Sequence, residues 1–95
     1  MADWVVPRSW TRLHFWDQLE RRRDSRDGLV VILDSATASH FHHPRCEHVA
    51  ESHFEIKRRN DWRNGAYYWI EDASAAAGYA TPCAVCGGVP PSAAG

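Results

Sequence analysis

A small α+β fold, an antiparallel sheet with short helices and an N-terminal amphipathic helix, is what this chain predicts. Three observations predict it. The continuous, β-branched run Leu29-Val30-Val31-Ile32-Leu33 reads as a buried strand. The aromatic run Ala66 to Ile70 follows the tight-turn pair Asn64-Gly65 and reads as a strand returning along it. Ahead of both, large apolar residues recur with a helical period.

That first stretch predicts a helix within residues 4–23. Pro7 and Ser9 are start signals, with Ser9 as N-cap. Trp10, Leu13, Phe15, Trp16 and Leu19 spread over more than half its circumference, and Arg21-Arg22-Arg23 suits its carboxyl end. Asp27-Gly28 turns the chain into the first strand. Pro44 fits the first turn of a short helix running to about Ala50. Phe54-Glu55-Ile56-Lys57 alternates and predicts a strand, joined to Ala66–Ile70 by a hairpin turning around residues 58–65. Asp72 caps a short alanine-rich helix over Ala73–Ala77, and Gly78 stops it. Residues 89–95 have nothing to pack and predict a disordered tail.

The chain has 95 residues, enough for one domain with a modest core that gains from a staple. Its three cysteines are an odd number, which fits a closed disulfide framework poorly. The acidic start and the lack of a long apolar run predict a cytoplasmic protein with reduced thiols and no membrane segment. The net charge of -1 excludes a global basic field, so nucleic-acid binding would have to rest on local patches.

Cys83-x2-Cys86 is the sharpest local signal. Two cysteines at this spacing can turn both sulfurs to one point, and Gly87-Gly88 lets the backbone curl behind them, which makes half of a structural zinc site. A redox pair would open a longer helix, which this segment lacks. The other half is expected from residues 40–48, which hold His40, His42, His43, Cys46 and His48. Cys46 is the remaining thiol, so three cysteines and one histidine around Zn2+ is the natural set. His42 stands four residues before Cys46 across a proline turn. His43, biased to extended backbone by Pro44, and His48 are the alternatives.

These boxes resemble a known family. Phe41-His42-His43-Pro44-Arg45-Cys46, a strand ending near Ile70-Glu71-Asp72, and Ala76-Ala77-Gly78-Tyr79-Ala80-Thr81-Pro82-Cys83-Ala84-Val85-Cys86 are similar in order and spacing to the Ada-type metal-binding domain. They are most similar to its His-containing relatives, accessory modules in bacterial nucleases. The resemblance covers about residues 29–88. It implies a small α+β fold on one zinc and selects His42 as first ligand, with Cys46, Cys83 and Cys86. The family's founding member takes a methyl group from DNA on its first zinc-bound cysteine. Here that position is His42, so methyl transfer is not implied.

Two surfaces predict partners. Lys57, Arg58, Arg59 and Arg63, flanked by Trp62 and Tyr68, can grip phosphate and stack on bases of DNA or RNA. Trp10 and Trp16 on the N-terminal helix can meet a protein partner or a second copy. The favoured expectation is a non-catalytic zinc-binding module that binds nucleic acid, ahead of a protein-interaction or dimerisation module. A metal-dependent nuclease or repair methyl acceptor, drawing on His40 and Asn64, ranks lower. No nucleophile–base pair is recognisable, and four protein ligands close a zinc ion to water.

Overall fold

The computed structural model describes residues 5–23, 28–35 and 39–86. Five strands, β1 (Thr11–Leu13), β2 (Leu29–Asp34), β3 (His40–His42), β4 (Gly65–Ile70) and β5 (Thr81–Pro82), form one sheet in the order β1-β4-β2-β3-β5. The helices are α1 (Trp16–Glu20), α2 (Glu51–Arg59) and a 3-10 turn, Ala73–Ala76. The chain is thus α+β, as its strand patterns predict. Pairing is antiparallel except between β3 and β5, which run parallel.

β2 and β4 are the centre, paired from Leu29↔Ile70 to Asp34↔Gly65. Alternate side chains of a strand leave opposite faces, and here both faces are covered. Leu29, Val31 and Leu33 join Phe41, Tyr68, Ile70, Trp10 and Ala76 on one side. Val30 joins Leu13, Leu19, Phe54, Tyr67, Cys46 and Cys83 on the other. Burial on both faces is why the β2 run is apolar without alternation.

The N-terminal segment departs from expectation. Thr11–Leu13 is an edge strand on β4, and helix is confined to Trp16–Glu20. Trp10 and Leu13 are buried on opposite faces of the sheet. That suits residues three apart in a strand; on a helix they would share a face. Ser9 caps nothing. Instead the Gln18 side chain accepts from the amides of His14 (2.7 Å) and Phe15 (3.0 Å) and sets the start of α1.

Two further corrections concern the middle of the chain. Pro44–Ala50 is not a helix but two successive turns, closed by the Cys46 amide on the His43 carbonyl and the Val49 amide on the Cys46 carbonyl. Phe54–Lys57 is not a strand but the centre of α2, so there is no hairpin around 58–65. Phe54 is fully buried, with its ring edge-on to Tyr67, Trp62 and Trp16 at centroid distances of 4.8, 5.3 and 5.6 Å. This is the one buried side chain that anchors the helix to the sheet, while Glu51 at its start and Lys57, Arg58 and Arg59 at its end suit its dipole. The chain leaves α2 through Asp61 and Trp62, both in left-handed backbone.

The alanine-rich segment behaves as expected in a tighter form. Asp72 accepts from the Ala75 amide, the 3-10 turn follows, and Gly78 at φ +83° ends it. The expected tail at 89–95 lies outside the described residues.

Candidate metal centre

Sheet register builds the centre. β5 lies parallel to β3 with His40↔Thr81 and Phe41↔Pro82, and the Cys83 amide donates to the Phe41 carbonyl at 3.0 Å. The next residue of each strand is therefore a candidate ligand, His42 on one and Cys83 on the other. The turn closed by Cys46 N–H on the His43 carbonyl carries Cys46 back over them. A second turn after Cys83 brings up Cys86.

Ligand atoms of His42, Cys46, Cys83 and Cys86 all lie within 4.8 Å of one another, so the four could hold one metal ion. His42, Cys46 and Cys83 are buried, and Cys86 is partly so. The Sγ atoms of Cys46 and Cys83 are 3.9 Å apart. That is far beyond a disulfide, about 2.0 Å. It matches two sulfurs on one tetrahedral ion with metal–sulfur bonds of about 2.3 Å, which stand about 3.8 Å apart. His42 Nδ1 is buried without a hydrogen-bond partner. An imidazole left so incompletely satisfied in a core is what a missing metal or group leaves behind.

Electrostatics favour that reading at His42 and Cys83 and oppose it at Cys46. Burial, with His48 and His40 adding to it, lowers the pKa of His42 to about 4, so its imidazole is neutral at pH 7, the form a metal needs. Burial pushes the Cys46 thiol up to about 12, the neighbouring Cys86 and Cys83 adding to the rise. Burial also acts to raise Cys83, yet the amides of Cys86 and Val85, with His48 and Cys46, outweigh it and bring this thiol down to about 7. The Val85 amide stands 3.4 Å from Cys83 Sγ. Backbone N–H groups thus converge on sulfur at both turns, the His48 amide on Cys46 and those of Val85 and Cys86 on Cys83. Such groups stabilise thiolate, but at Cys46 burial outweighs the His48 amide, and this thiol would ionise only with a divalent cation bound.

The alternative histidines separate by position. His43 is buried outside the group, and its Nδ1 accepts from the Arg45 amide at 3.2 Å. His48 is exposed, but its Nδ1 is 3.5 Å from Cys83 Sγ and its ring is 6.0 Å from that of His42. It borders the four ligands as a hydrogen-bond partner of a sulfur. Nothing in the residue types singles out His48 from its neighbours in advance.

The basic cluster of residues 57–63 divides between ion pairs and one cavity. Lys57 Nζ is 2.9 Å from Asp34, and Arg58 Nη2 is 2.6 Å from Glu55. Trp62 is partly buried against the core, with the Arg12 guanidinium 5.0 Å over its ring. Arg59 and Arg63 line a polar cavity of about 370 Å³ with Asn60, Asp61 and Asn64. Of the two tryptophans expected to meet a partner, Trp10 is 6 % exposed, and its Nε1 donates to the Ala75 carbonyl at 3.0 Å. It packs inward, in the core on one face of the sheet. Trp16 is partly buried, against Phe54 and under the Arg23 guanidinium.

One feature escapes the sequence altogether. A cavity of about 340 Å³ opens beside the centre, with His42 and His48 at its end and the 53, 56, 57 face of α2 along its side. Only a helical reading of residues 51–59 brings those side chains together.

Among the described residues no helix is long and apolar enough to cross a membrane. Compared with family models, curated proteins and solved structures, the chain matches none.

Proposed function

We propose that this chain is a non-catalytic, zinc-stabilised module that binds nucleic acid. The observation that carries the first half is the convergence of His42, Cys46, Cys83 and Cys86 from segments far apart in sequence. Thiolate-rich tetrahedral sets favour zinc, and a zinc ion held by four protein ligands keeps no position for water or substrate. What it supplies is a cross-link between the turn after β3 and the chain beyond β5. A sheet whose last strand has two residues gains most from that link.

Nucleic acid is supported by Arg59 and Arg63, two exposed guanidiniums beside the Asn60 and Asn64 amides on one polar cavity. Arginine with side-chain amides suits phosphate oxygens. The resemblance of the ligand boxes to the Ada-type domain points the same way. With a net charge of -1, binding rests on this patch and is salt-sensitive.

The test has two stages. Purified protein carries one zinc per chain, and a strong chelator unfolds it. An electrophoretic shift at low salt then detects DNA or RNA, and Arg59→Ala with Arg63→Ala weakens the complex. Each lost phosphate contact flattens the log–log salt slope by about one. A metal-free, chelator-indifferent protein refutes the first half, and no binding at low salt refutes the second.

A further inference from the structure

The cavity beside the metal centre has a composition that selects its occupant. Its floor is the sheet, where Ile32 and Tyr67 face each other across β2 and β4, with Asp34 two residues along from Ile32. Its side is α2, which presents His53, Ile56 and Lys57 at helical spacing. Its end is formed by His42 and His48. At about 340 Å³ it is within the size range of small-molecule sites.

Charge decides against an anion inside. The one ammonium, Lys57, is already 2.9 Å from the Asp34 carboxylate, and the neighbouring three-cysteine centre contributes negative charge when it holds a divalent ion. A cation finds no open partner either: Asp34, the one carboxylate on the lining, is already paired with Lys57, and among the described residues no second group of close metal donors exists beyond His42, Cys46, Cys83 and Cys86. A neutral occupant is left. Ile32 on the floor and Ile56 on the helix offer apolar contact, and Ile56 is 55 % exposed, a large apolar side chain at an open rim. Around them stand an acceptor (Asp34), a donor (Lys57) and the exposed imidazoles of His48 and His53, able to meet a molecular edge that both donates and accepts.

We propose that this cavity binds a nucleobase, a flat neutral ring with donors and acceptors along its edge, held between Ile32 and Ile56. The inference rests on the nucleic-acid reading above and narrows it. Asp34 pairs with Gly65 in the sheet, the Ser35 amide donates to the Asn64 carbonyl, and Asn64 lines the cavity of Arg59 and Arg63, so the end of β2 links the two cavities. A phosphate at the arginines and an unstacked base in the cavity describe a single strand. A duplex keeps its bases paired and could reach only the arginines.

The experiment uses the full zinc-loaded chain. Adenosine, guanosine, cytidine and uridine are titrated while backbone and histidine resonances are followed by NMR. Eight-nucleotide single strands and the matching duplex are then compared by fluorescence anisotropy. Expected are shifts at His53, Ile56 and Lys57 with at least one nucleoside, and single strands that bind about tenfold more tightly than duplex. Ile56→Glu, at an exposed position, abolishes the nucleoside shifts and removes the single-strand preference, while Arg59→Ala with Arg63→Ala weakens single strand and duplex alike. Nucleoside shifts without any oligonucleotide binding would uphold the cavity as a free-nucleoside site and sink the nucleic-acid reading. Equal binding of single strand and duplex, unmoved by Ile56→Glu and without nucleoside shifts, would overturn the cavity assignment and leave that reading standing.

Discussion

Cys46 and Cys83 hold their sulfur atoms 3.9 Å apart although 37 residues separate them in the chain. Between them pass α2 and β4, so this one contact closes a loop containing much of the fold. Cys83→Ser is expected to lose bound zinc and to unfold in far less denaturant than the parent. Zinc affinity in small domains is itself folding free energy, so the loss amounts to several kcal/mol. Metal analysis and a urea melt, each with and without chelator, check this. A variant that keeps a full zinc complement would refute the ligand assignment.

The two histidines at the centre should separate in a graded way. His42→Ala removes a ligand and leaves a vacant position, so metal loading fails or weakens severely. His42→Cys restores a fourth soft donor and retains the metal. His48→Ala removes only the contact to Cys83 Sγ, and partners of that kind are worth about 10–100-fold in metal affinity. Competition against a chromophoric chelator ranks the three. A cobalt-substituted spectrum reports the thiolate count, which rises in His42→Cys and is unchanged in His48→Ala.

The candidate ligand group is legible in the sequence because its chemistry is local. Cys83 and Cys86 sit at a spacing only a few structures use, and Cys46 is the one further thiol. β2 and β4 are legible for a similar reason, since burial on both faces leaves an apolar run that no surface segment carries. α2 is not. Four residues from Phe54 to Lys57 fit a period of two as well as one of 3.6, and the helix buries Phe54 alone. Trp10 to Leu19 misleads differently, because two sheet faces and a short helix each take some of its apolar residues and together imitate one broad stripe. The cavity is hidden behind both, since it exists only once α2 lies across β2 and β4.

Phe54 should be the costliest single truncation in the apolar core. It is fully buried, and three aromatic rings meet its edge or face. Phe54→Ala is expected to cost about 3–5 kcal/mol, because the rings of Trp16, Trp62 and Tyr67 cannot close the space together. Denaturant midpoints measure it. Ile56→Ala, two residues along on the exposed side of the same helix, should stay within about 0.5 kcal/mol of the parent. A comparable loss at both positions would mean that α2 is not seated by Phe54.

Gly65 makes a prediction about close approach. It pairs with Asp34 at the end of β2, and a Cβ built there would run into the Leu33 carbonyl oxygen and crowd Lys57 Nζ. The lysine can swing away, but a backbone carbonyl inside a sheet cannot. Gly65→Ala is therefore expected to destabilise by about 1–3 kcal/mol despite alanine's smaller loss of backbone freedom. Gly78→Ala acts by another route: open space surrounds its Cβ, and the cost comes from the left-handed φ alone. A thermal melt of both variants against the parent distinguishes them, Gly65→Ala being the larger loss.

Alkaline stability should carry the mark of Tyr67. Burial, with the Asp34 carboxylate adding to it, raises the pKa of this phenol above its ordinary value of 10.0. Below about pH 10 both folded and unfolded chains keep the proton, and the contribution is complete. Above it the unfolded chain releases the proton while the folded chain holds it, so the unfolded state is lowered in free energy and stability falls as pH rises. One such group sets a slope of up to about 1.4 kcal/mol per pH unit, which persists until the folded pKa is reached. Urea midpoints at about pH 9, 10 and 11 measure the slope, and Tyr67→Phe, which keeps the ring against Phe54, should remove that much of it. Parallel curves for parent and variant would show that the Tyr67 hydroxyl reaches water.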